Sequence, residues 1–184
     1  MGIKNIWTLN IDEALVVDEI KNRLGKKKYE VFLPTNAQLQ NIDLILLDLT
    51  TISAKTIQVK GSRTYESTKS EIQRYGNGST AWITIEKQKI FEPANEIDFF
   101  IFVLHGLIDK PPRKRIDINY LIFPFEDFKK LIQDKKVRRA KIGKGQYHFY
   151  IWINSEERKV FDYNEPNKLI DFSKFFNNWE ILKG

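Results

Sequence analysis

Residues 42–63 read IDLILLDLTTISAKTIQVKGSR, and everything else in the chain can be arranged around them. Ile42–Leu47 is almost wholly apolar, as a strand covered on both faces would be. Asp48–Lys55 is expected to turn the chain, and Thr56–Lys60 to return as a second strand. Residues two apart share a strand face, so Gln58 and Lys60 point together while Ile57 and Val59 point away. Setting Leu49 against Lys55 across the turn places Asp43 opposite Gly61, within about two residues of Lys60. An acid, an amide and an ammonium thus gather at one end of an apolar hairpin.

The segments around the hairpin read as a mixed α/β chain. Asn10–Leu24 has helical spacing, with Asn10 as cap, Glu13 three residues on, and a stripe of Glu13, Val17, Ile20 and Leu24. Gly25 ends it, and Lys26–Lys28 complement its C-terminal dipole. Tyr29–Leu33 is a short strand stopped by Pro34. Glu66–Tyr75 is polar and weakly helical, and Gly76-Asn77-Gly78 breaks it. Ala81–Ile85, Asp98–Leu104 and Ile118–Phe123 read as strands, and Lys110–Arg115 (KPPRKR) as an exposed basic loop. Glu126–Gln133 is a short amphipathic helix. Gln146–Ile153 and Lys159–Tyr163 form a hairpin, and Phe172–Leu182 is expected as a final helix with its aromatic face on the core.

Composition narrows the chemistry. At 184 residues, 42% apolar and 13% aromatic, the chain suits one domain with a large core. We place the core at about 10–125 and a C-terminal extension at about 126–184. There is no cysteine and there are only two histidines, which excludes disulfides, thiolate nucleophiles and cysteine zinc sites. A metal would be a hard one on carboxylate and carbonyl oxygens, Mg²⁺ or Mn²⁺. The net charge of +6 favours an anionic partner. No apolar run approaches the length of a membrane span, and MGIKNIWTLN lacks the pattern of a signal peptide. No membrane partner and a cytoplasmic location are therefore expected.

Phosphodiester hydrolysis needs a hard cation to polarise the phosphate and acidify a water, and a cationic or basic group beside that water. Asp43, Gln58 and Lys60 supply those roles. Ile42-Asp43 followed by Gln58-Val59-Lys60 resembles the motif of the PD-(D/E)xK, or restriction-endonuclease-like, nuclease superfamily. That motif is an acid on one strand and (D/E/Q)-x-K on the next. Gln58 stands where most members have an acid, a departure shared with Mrr-type restriction enzymes, and it removes one negative charge from the site. The resemblance runs over roughly Glu13–Leu104. It implies a mixed central sheet flanked by helices, here with an added C-terminal hairpin and helix.

The resemblance further implies that Asp43 and Gln58 hold Mg²⁺ (or Mn²⁺) with the Val59 carbonyl, and that Lys60 acts on the water. Glu13 matches the glutamate that such families carry at the start of the preceding helix; by its position alone it is equally a capping acid. The implied activity is metal-dependent cleavage of nucleic acid, DNA in the first instance, and a homodimer would suit cutting of two strands. Ser62 and Arg63, directly after the motif, and the basic residues Arg113, Lys114, Arg115, Arg138 and Arg139 are candidates for contact with the backbone. The competing expectation is an inactive nucleic-acid-binding or protein-interaction module of the same fold, for example in a defence system. The aromatic tail reads as core, not as a stacking platform.

Overall fold

Helix α1 (Ile11–Ile20) starts at Asn10, whose side-chain oxygen accepts the Asp12 N–H, as an N-cap does. The structure, a computed structural model, describes residues 10–25, 27–35, 41–93, 96–110, 113–135, 138–139, 145–165 and 168–183, and of residues 107–110, 113–116 and 138–139 the backbone alone. After α1 a wider turn, Lys21–Gly25, closes at Gly25 with φ +99°. The buried residues are Val16, Ile20 and Leu24. Ile20 and Leu24 are buried as expected, but the first half of the stripe is displaced by one residue: Asp12 and Val16, not Glu13 and Val17, lie in line with them.

Strands β1 (Tyr29–Phe32), β2 (Leu44–Asp48) and β3 (Ser53–Glu66) form an antiparallel meander. Asp48 pairs with Ser53, so the turn is only Leu49–Ile52, tighter than expected. The Asp48 carboxylate makes it so, accepting the N–H groups of Thr50 at 2.7 Å and Thr51 at 3.3 Å, a local bond that starts turns. Ile52 completes it at φ 54°. This shifts the register: Leu44 pairs with Ile57, and continuing one residue sets Asp43 opposite Gln58 instead of Gly61.

Helix α2 (Lys69–Tyr75) opens with a capping box between Thr68 and Glu71, and β4 (Ser79–Glu86) and α3 (Lys87–Phe91) follow. Strands β5 (Phe99–Lys110) and β6 (Arg113–Pro124) form a long hairpin paired as far as Lys110 with Arg113. The stretch KPPRKR is thus strand on both sides of residues 111–112 and not an open loop. Helix α4 (Phe125–Ile132) leads to β7 (Arg138–Arg139), β8 (Gly145–Asn154), β9 (Lys159–Asp162) and β10 (Ile170–Asp171).

The expected tail helix is replaced by two 3₁₀ turns, Ser173–Phe175 and Trp179–Lys183, with Phe176 bridged to Leu121 between them. Asn177 interrupts any helix at φ 49°, and its side-chain oxygen accepts the Tyr120 N–H at 2.8 Å. The tail aromatics Phe172, Phe175, Phe176 and Trp179 are buried all the same.

Strand β3 joins two sheet regions. Ser53–Ile57 pairs antiparallel with β2, Ile57–Arg63 pairs parallel with β5, and Thr64–Glu66 pairs antiparallel with β4. One region is the mixed sheet β1-β2-β3-β5-β6; the other is antiparallel, running β4-β8-β9-β10 with β7 beside β8. Val16 and Ile20 of α1 and Trp179 and Leu182 of the tail pack with Ile57, Val59, Ile101 and Val103 on one face of the mixed sheet. The other face packs Phe100, Phe102 and Phe123 against Phe128 of α4 and Phe149 of β8. Each such fully buried side chain contributes about 1.5–3 kcal/mol. Among the described residues no helix is long and apolar enough to cross a membrane.

Candidate functional site

The polar cluster sits where β2 gives out beside β3. The Asp43 N–H still reaches the Ile57 carbonyl at 2.9 Å. One step on, the Val59 N–H goes not to a backbone carbonyl but to Asp43 Oδ2, at 2.8 Å. A carboxylate has taken over the ladder at that point. In an extended strand the N–H and C=O of one residue lie toward the same neighbour, so the Val59 carbonyl faces the same edge as Asp43. Asp43, Gln58 and Val59 are thus brought together as the motif requires.

Gln58 is 2% exposed. The alternation expected for β3 holds: Ile57 and Val59 enter the core under α1, and Gln58 turns to the opposite face, beside Phe100. Its Nε2 makes a long 3.5 Å contact to Asn41 Oδ1. Its Oε1 is buried and has no hydrogen-bond partner among the described residues. An amide oxygen in that state forfeits about 1–3 kcal/mol, and a cation is one group that would restore it. Lys60 lies two residues on along the same face, next to Phe102 and half-buried.

These donors fit a hard divalent ion. Asp43 offers a carboxylate, Gln58 a buried oxygen without a proton donor, and Val59 a carbonyl, all oxygen ligands of the kind Mg²⁺ takes. Among the described residues no group of three or more histidine or acidic side chains stands together. Water and substrate oxygens would therefore fill the remaining positions, as is usual for Mg²⁺.

On the α1 side of the same strands stands a pair that the sequence did not single out. Asp12 bonds His105 Nε2 and lies over Gly61. A Cβ on Gly61 would fall 1.9 Å from Asp12 Oδ2, so any larger residue there would have to displace the Asp12 carboxylate. The signal was present: Asp12 is four residues before Val16, in line with the buried stripe, and His105 directly follows the buried run Phe99–Leu104 of β5. Glu13 is half-buried in the first turn of α1, one position from the residue that reaches β3.

The outer candidates separate. Ser62 donates its hydroxyl to the Trp82 carbonyl at 2.8 Å, tying β3 to β4. Arg63 is exposed beside His105 in the ladder. Arg113, Lys114 and Arg115 lie on β6, and Arg138 and Arg139 on β7; their side chains are outside the described residues. Comparison with family models, curated proteins and solved structures finds no match.

Proposed function

We propose that this chain is a metal-dependent nuclease of the PD-(D/E)xK type, hydrolysing nucleic acid phosphodiesters with Asp43, Gln58 and Lys60 as its centre. The observation that carries the reading is the buried, unpartnered Gln58 Oε1, set opposite Asp43 and on the face of Lys60. The mixed sheet with α1 on one face and α4 on the other suits the restriction-endonuclease-like fold that the resemblance implies. The net charge of +6 suits a polyanionic substrate.

In this reading Asp43, Gln58 and the Val59 carbonyl hold Mg²⁺, which when bound polarises the phosphate and acidifies a water. Asp43 is pre-positioned because the Val59 N–H fixes one of its oxygens. The Gln58 amide is buried beside Phe100, so its oxygen is presented with little reorganisation. Lys60 orients the attacking water and offsets the charge that develops as the P–O bond to the leaving group breaks.

The test is cleavage of mixed DNA and RNA substrates with Mg²⁺ or Mn²⁺ by the wild type, Asp43→Ala and Lys60→Ala. Each substitution is expected to lower the rate by about 100-fold or more; equal cleavage by all three proteins would refute the site. That no group of three or more histidine or acidic side chains stands together among the described residues favours one alternative, a nucleic-acid-binding module that has lost cleavage. It predicts salt-dependent binding with no cleavage under either metal.

A further inference from the structure

The antiparallel region keeps an aromatic layer on its outer face. On β4, Ala81, Ile83 and Ile85 turn inward while Trp82 is 55% exposed. On β8, Tyr147, Phe149 and Ile151 turn inward, leaving His148 and Tyr150 half-buried on the outer face. Trp82 pairs with Tyr150 in the ladder, and their rings lie 12° from parallel with centroids 5.6 Å apart. His148 stacks on Trp82 from 6.0 Å at 30°. Thr64 pairs with Ala81, so the next position sets exposed Arg63 opposite Trp82. Tyr65, 63% exposed, lies two residues on from Arg63 along the same face.

The same face is covered elsewhere. Trp152, two residues beyond Tyr150, is 1% exposed, beside its ladder partner Phe161 of β9 and against Tyr75 of α2. Helix α2 thus covers one half of the outer face and stops short of the other. Where it stops, Tyr150 forms one wall of a 430 Å³ cleft that Tyr75, Arg74, Tyr163 and Glu71 also line. Glu71 is the acid in that cleft, and its oxygens are taken by the Tyr163 hydroxyl and by Thr68. Single exposed aromatics are ordinary, but a stacked layer beside a cationic side chain is the arrangement that receives unpaired bases.

We propose that this layer binds single-stranded nucleic acid, with bases stacking on Trp82, Tyr150 and His148 and Arg63 meeting the backbone phosphate. Charge argues for this occupant over a second copy of the chain, since two chains of net charge +6 repel and a polyanion does not. The proposal goes beyond the nuclease reading and does not depend on it: the layer needs neither metal nor Lys60.

The test is fluorescence anisotropy of labelled oligo(dT), oligo(U) and a duplex in EDTA, with the full chain. Binding should favour the single strands and fall steeply with salt. Trp82→Ala should weaken it about tenfold or more, Trp82→Phe should restore most of it, and Arg63→Gln should reduce the salt slope by about 0.7. Binding is read in EDTA while cleavage needs Mg²⁺ or Mn²⁺, so failure of cleavage and failure of this proposal are separable. Preference for duplex, or Trp82→Ala and Trp82→Phe both binding within about twofold of wild type, would overturn it, since stacking makes a larger contribution than that. Binding insensitive to salt would overturn it as well, since contact with backbone phosphate is salt-dependent.

Discussion

Asp162 and Gln58 are buried almost equally, at 1% and 2% exposure, and the fold treats them in opposite ways. Asp162 has every need met. Its Oδ2 takes the Lys135 ammonium, and its Oδ1 takes the N–H groups of Tyr150 at 3.0 Å and Asn164 at 3.1 Å. Lys135 in turn lies 5.0 Å from the Phe149 ring centroid. Burial pushes the Asp162 carboxyl pKa up, and Lys135 pulls against it. Gln58 keeps an unbonded oxygen and one 3.5 Å contact. A closed polar site holds a structure together; one left open carries a cost that a bound ion or water can repay.

The sharpest way to break this contrast is Asp162→Ala. It strands the Lys135 charge in the core, and about 3–5 kcal/mol of stability should be lost. Denaturant unfolding would show it, and a loss below about 1 kcal/mol would mean the pair is not the closed site described. The opposite outcome is expected for Gln58→Leu. Removing an unsatisfied amide should leave stability unchanged or raise it by about 1 kcal/mol, while cleavage disappears. A large destabilisation would show that Gln58 is bonded after all and serves the core.

Gln58→Glu sharpens the comparison further. A second carboxylate beside Asp43 should lower the melting temperature in EDTA, because two acids then share a buried edge. Millimolar Mg²⁺ should raise that temperature by more than it does for wild type, following the linkage between binding and stability. No differential response would remove the metal from this edge.

The smallest effect concerns Glu71, a closed site at the surface. Burial pushes its pKa up, but bonds from the Tyr163 hydroxyl and from Thr68 outweigh that and hold it below its ordinary 4.5. A depressed folded pKa stabilises the fold above the unfolded value, and that contribution is lost as pH falls through the folded pKa. Glu71→Gln should therefore melt lower than wild type at pH 7, by an amount on the order of 1 kcal/mol or less. The gap should close as pH falls below 4.5, which melting curves across pH would reveal.

Much of the scaffold was legible because alternation is a strong signal. Ala81, Ile83 and Ile85 against Trp82 and Thr84 mark β4, and Gln58 with Lys60 fall on one face as their spacing requires. The hairpin register was not legible, because it turns on the Asp48 carboxylate choosing the N–H groups of Thr50 and Thr51. The expected end of the second strand at Lys60 missed its continuation to Glu66, along which Asp12 lies over Gly61. The tail misled for another reason: aromatics spaced three and four apart fit a helix and equally fit two 3₁₀ turns around Asn177. The open oxygen of Gln58 could not be read from sequence at all, since satisfaction is a property of neighbours.

The shared strand has a kinetic consequence. Its partner β5 begins far along the chain, and Thr56 meets Asp98 across 42 residues. The meander β1-β2-β3 can form from local contacts, but the parallel pairing of β3 with β5 must wait for a long loop to close. Folding should therefore pass through a state in which the hairpin bearing Asp43 and Gln58 exists while β3 still shows one bare edge, the interval in which this chain is most exposed to aggregation.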